Sequence, residues 1–127
     1  MAFGDIGGVV TELVITCKTP DSGSVNIAKG DAVSLAGPYT VCNDADAESP
    51  VLGEALAGST ANGAAIPVKV RGVSVFDYEG ETPPTVNGLA GIVAAESSGK
   101  VKAPASGNGA GINLKVDTVA GQVHVLL

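Results

Sequence analysis

Tryptophan is absent from this sequence, and aromatic residues make up only 3% of it. Its core must therefore be assembled from Val, Leu, Ile and Ala, with few rings to bury. Cations are scarce too. Seven Lys and Arg stand against thirteen Asp and Glu, a formal net charge of -6. The seven are scattered between Lys18 and Lys115 and form no block that would neutralise phosphates, which argues against nucleic acid as a partner. No apolar run approaches the roughly 20 residues that cross a bilayer, so no membrane partner is expected. The opening MAFGDIGG has neither the basic region nor the apolar stretch of a signal peptide, and the expectation is synthesis and use without secretion. Two cysteines with no CxxC spacing support neither a redox motif nor a zinc motif.

Glycine and the small aliphatic residues are plentiful. With 18 Gly and 7 Pro among 127 residues, the chain is punctuated by turns, and short β-branched runs lie between them. Charged residues amount to 16%, too few for a disordered polyelectrolyte. The fold class this predicts is all-β: a small β-barrel or β-sandwich with glycine-rich loops. Residues 1–8 read as a flexible N-terminal arm, and residues 9–127 as a single β domain.

The strongest strand signal covers residues 64–78, AAIPVKVRGVSVFDY. Apolar residues alternate from Ile66 to Val70 and again from Val73, with a slip of one residue at Arg71-Gly72. This pattern predicts a central strand that bends at the glycine and keeps its valines inward on both sides. Upstream, residues 9–17 form a strand candidate. Gly37-Pro38 joins two short runs into a hairpin that sets Val33 and Leu35 against Tyr39 and Val41. Residues 43–50 make an acidic loop, and Asn62-Gly63 marks a tight turn. Pro83-Pro84 cannot occupy a central strand, because neither nitrogen carries a hydrogen, and reads as an exposed loop that closes in a turn at Asn87-Gly88. Residues 112–116 and 121–127 pair as a terminal hairpin, and the apolar end of the chain requires a sheet or a neighbouring subunit to cover it.

No constellation carries catalytic chemistry, so no enzyme activity, cofactor or metal is expected. His124 alternates with Val123 and Val125, which places it on the opposite face from these valines, towards solvent or an interface. Asp44, Asp46 and Glu48 alternate as calcium ligands would. Ser49 stands where the loop glycine of an EF-hand belongs, however, and Ala55 where its final glutamate belongs, so a solvated acidic loop is the reading. Asp77, Glu79 and Glu81 likewise read as a charged strand edge. Ser98-Gly99-Lys100 lacks the preceding glycine and the following Ser or Thr of a phosphate loop. Cys17 and Cys42 would be close enough to bridge only if their strands are neighbours. Packed, unpaired thiols are the preferred reading.

Four segments together resemble a known family. They are Ile27-Ala28-Lys29-Gly30-Asp31-Ala32-Val33, the glycine-bounded stretch 53–63, the V-x-V-x-G of residues 68–72, and the V-x-V-L of residues 123–126. In this order they resemble the small capsid decoration, or cement, proteins of tailed bacteriophages. The resemblance implies a β-barrel or β-sandwich on the outer surface of the virion, made in the host cytoplasm. It implies a homo-oligomer, a trimer, that bridges subunits of the major capsid protein and stabilises the expanded shell. On that reading Phe3, Asp5 and Ile6 form a capsid-binding arm, and Phe76 and Tyr78 lie at a subunit or capsid interface. A tail or baseplate structural protein and a small ligand-binding β-barrel are the alternatives.

Overall fold

Branched side chains at alternate positions, Ile66, Val68 and Val70, turn one face of a strand into a core. The computed structural model, which describes residues 12–86 and 91–127, places that strand in an all-β architecture with no helix among the described residues. The strands in chain order are β1 (Leu13–Lys18), β2 (Ala32–Gly37), β3 (Thr40–Cys42), β4 (Gly53–Ala55), β5 (Ala65–Arg71), β6 (Val73–Asp77), β7 (Val93–Ala94), β8 (Val101–Lys102), β9 (Ile112–Asp117) and β10 (Gln122–Leu126). The first five close a barrel in the order β1-β3-β2-β4-β5, with β5 pairing back onto β1. The next region is a three-stranded sheet, β6-β10-β9, accompanied by the short pair β7-β8. The expected arm, residues 1–8, and the start of the domain up to residue 11 lie outside the described residues, as does the expected turn at Asn87-Gly88.

The segment 64–78 links the two regions. It divides at Gly72, whose φ of +123° suits a residue without a side chain, and delivers β5 to the barrel and β6 to the second sheet. The expected bend is present, but the inward face of β6 differs from the expectation. Ser74 and Phe76 are buried, at 1% and 0% exposure, while Val75 is 40% exposed. A phenyl ring buries more apolar area than a valine, so Phe76 takes the interior and fixes the strand's rotation. Just before the bend, Lys69 is 9% exposed and reaches across it. Its Nζ donates to the carbonyl of Val73 at 2.8 Å and lies 3.6 Å from both Glu12 Oε1 and Glu54 Oε1. A lysine buried this deeply requires such partners.

Two cores result. Val33, Val41, Ile66 and Val68 fill the barrel, and Phe76, Ile92, Val101, Val123 and Val125 fill the space under the second sheet. Ala32 and Val51 pack into the second core from the barrel side. The predicted hairpins form: Leu35 stands opposite Val41, and β9 pairs with β10. In the second turn, Asp117 Oδ1 accepts the N–H groups of Val119 and Ala120 at 3.0 Å. Tyr39 lies in the first turn rather than in a strand. Val25 and Ile27 lie outside the strands, and Ile27 makes a single bridge to Ser59. The apolar C-terminus is tied down, since the N–H of Leu127 donates to Gly72 at 2.8 Å.

Candidate binding groove at the open edge of the barrel

The barrel wall is incomplete where β1 meets β3, and the hydrogen-bond parity shows how. Thr16 is opposite Pro67, which has no N–H to give, and the Pro67 carbonyl already accepts from Leu56 at 2.9 Å. Thr19, in the same phase as Ile15 and Cys17, donates to Ala64 at 2.9 Å. The odd-numbered residues of β1 therefore bond to β5, and Val14 and Thr16 direct their N–H and C=O groups to the opposite edge. On that edge Lys18 donates to Tyr39 at 2.8 Å, and Lys18–Thr40 is the register pair that joins β1 to β3. β3 is three residues long and begins alongside the end of β1. Among the described residues, no strand lies beside Leu13–Cys17 on this edge.

Next to the edge is a groove of about 240 Å³, lined by Ile15, Cys17, Leu35, Pro38, Tyr39 and Leu52. Ile15 and Cys17 come from the inner face of β1, whereas Leu35 and Tyr39 come from the β2–β3 hairpin. They stand 59% and 71% exposed. Tyr39 has a φ of +51°, a left-handed conformation that costs a non-glycine residue on the order of 1 kcal/mol. The turn thus holds an aromatic ring out beside the groove at a conformational cost. Burial pushes the thiol of Cys17 up from its ordinary pKa, so it remains protonated at neutral pH and acts as part of the apolar wall. What such a groove can do is bind apolar side chains, and the adjoining edge offers backbone partners to the chain that carries them.

The residues singled out from sequence are dispersed. Phe76 is wholly buried in the second core and presents no surface to a partner. Tyr78 is half-buried against that core, with its N–H on the Gly121 carbonyl at 3.0 Å. Phe3, Asp5 and Ile6 lie outside the described residues. Both cysteines are free; Cys17 is buried and Cys42 half-buried, its thiol also pushed up by burial and then by Asp44. His124 is half-buried in the middle of the second sheet, between Val75 and Lys115.

The acidic residues serve as clasps between loops. Glu48 Oε1 accepts the N–H of Ala105 at 2.6 Å. Glu79 accepts both the hydroxyl and the N–H of Ser97 at 2.6 Å, and these bonds hold its carboxyl below the ordinary value. Gly99 packs against the carboxylate of Asp31, so the Ser98-Gly99-Lys100 turn closes on the protein itself.

Sequence reasoning overlooked Ile15, Pro38, Tyr39 and Leu52 as a group. The available signal was Tyr39 itself, one of two Tyr and two Phe, placed directly after a Gly-Pro turn. No protein-family model matches this sequence, and no curated protein matches it significantly.

Proposed function

We propose that this protein is a non-catalytic capsid decoration protein, which docks on the outer surface of an icosahedral phage head and stabilises the expanded shell by bridging major capsid subunits. The observation that carries the docking reading is the apolar groove with Leu35 and Tyr39 held out beside it. An isolated exposed leucine requires no explanation, but a strained, exposed tyrosine grouped with one around an apolar groove marks an interaction surface. The capsid as partner is supported by the resemblance, several of whose glycines stand where the backbone requires glycine. Gly30 takes a φ of +94°, a side chain at Gly53 would meet the backbone of Lys69, and the V-x-V-x-G segment is β5 running into the Gly72 bend. In this reading the protein is a homotrimer in the virion, made in the host cytoplasm, and residues Phe3, Asp5 and Ile6 add contacts to the capsid from the arm.

The test is mass determination by light scattering, followed by pelleting with expanded, undecorated heads. A trimer that co-sediments at a saturating stoichiometry is expected, and deletion of residues 2–8 weakens its occupancy while leaving the fold intact. A trimer that ignores heads would assign the protein to the tail or baseplate. A monomer without head binding would leave the ligand-binding barrel.

A further inference from the structure

We propose that the edge of β1 that no described residue covers is a strand-addition site. An extended segment of a different polypeptide pairs with Val14 and Thr16 and sets apolar side chains, at alternate positions, into the groove beside Ile15 and Cys17. This deepens the docking reading above and rests on it only in taking the occupant to be another protein.

The backbone dictates the form of the occupant. Val14 and Thr16 present a row of N–H and C=O groups at strand spacing, and an extended chain satisfies such a row. Hydrogen-bonded pairing at Val14 and Thr16 places the occupant's other residues opposite Ile15 and Cys17, on the same face as these two. That face is the apolar groove, which continues to Leu35, Tyr39 and Leu52. The occupant is therefore apolar at every second residue there and tolerant of polar residues between, because Thr16 on the other face is exposed. Its length is limited as well. The N–H of Lys18 is already given to Tyr39, so the added strand runs alongside Leu13–Cys17, about 17 Å. The β1 strand of a second copy cannot supply those apolar side chains, because its own Cys17 is buried in its own barrel core and its Ile15 packs against that core, so the occupant is a segment of a foreign polypeptide.

Amide hydrogen exchange on the free full-length protein tests the edge directly. The Thr16 amide exchanges faster than those of Ile15 and Cys17 by on the order of tenfold or more, since they bond to β5 and it does not. Equal protection at Thr16 shows an edge already covered and overturns the proposal.

Titration with a capped Ser-Val-Ser-Val-Ser peptide then shifts the amide resonances of Val14, Thr16 and Tyr39. Binding weakens by about tenfold in Thr16→Pro, which removes an N–H that β5 does not use. Leu35→Glu, at an exposed position, has a similar effect by charging the groove and covers the case in which the proline variant does not fold. Absent shifts, or shifts confined to other surfaces, overturn the proposal. Protection at Thr16 that rises with the protein's own concentration makes a second copy the occupant and overturns it equally. None of these readouts involves phage heads, so failure of the heads to bind removes the decoration reading alone.

Discussion

The barrel and the second sheet solve the same problem with different means. The barrel hides its aliphatic core behind strands that close in a ring, with β5 and β2 each paired on both edges, and its core contains no ring at all. The second region has β6, β9 and β10 in an open sheet, and it gathers Phe76, the one fully buried aromatic side chain among the described residues, together with Ile92 and three valines. Where hydrogen-bonded closure is available, small side chains suffice. Where the sheet is open, a larger side chain has to fill the space. The exception within the barrel is instructive: the seam between β1 and β3 is joined at one residue pair, and it is there that the aliphatic interior reaches the surface as a groove.

The largest expected effect breaks the second region. Phe76→Ala removes a ring at 0% exposure and costs about 3–5 kcal/mol in urea or thermal unfolding, whereas a substitution at Leu35, 59% exposed, costs little. The next targets the link between the regions. Lys69→Met keeps the stem but leaves the Glu54 carboxylate, 15% exposed, without its cation and loses the bond to Val73, with an expected loss of about 3 kcal/mol in the same measurement.

A smaller effect of the opposite sign sharpens the contrast at the seam. Tyr39→Gly relieves the left-handed conformation and raises stability by up to about 1 kcal/mol, while partner binding declines because the ring is gone. A result in which stability and binding fall together would show that the tyrosine is part of the core. The smallest effect is on pH dependence. The Ser97 hydroxyl and N–H hold Glu79 below its ordinary value of 4.5, so its contribution is present above that pH and lost as pH falls through the lower, folded-state value. Acid unfolding curves of Glu79→Gln flatten in that window relative to the unaltered protein.

Much of the architecture could be read from residue order. Glycine, proline and alternating valines located the bend at Gly72, the hairpins and the loops because turn chemistry is local. The inward face of β6 was misjudged because Val73 and Val75 alternate as well as Ser74 and Phe76 do, and only packing decides which pair is buried. The division of 64–78 between two sheets was not legible either, since strand partners are chosen by long-range contacts. The groove was hidden for the same reason. Ile15, Leu35 and Leu52 each look like ordinary core residues in sequence, and what exposes them is the shortness of β3, a property of the assembled barrel.

The central claim is that this protein works by docking through the groove and edge of β1. The most direct measurement is side-by-side pelleting of the unaltered protein and Leu35→Glu with expanded phage heads. The account predicts saturable co-sedimentation of the first and occupancy lower by about tenfold for the second, with both proteins equally stable in solution. Equal occupancy for the two would contradict it.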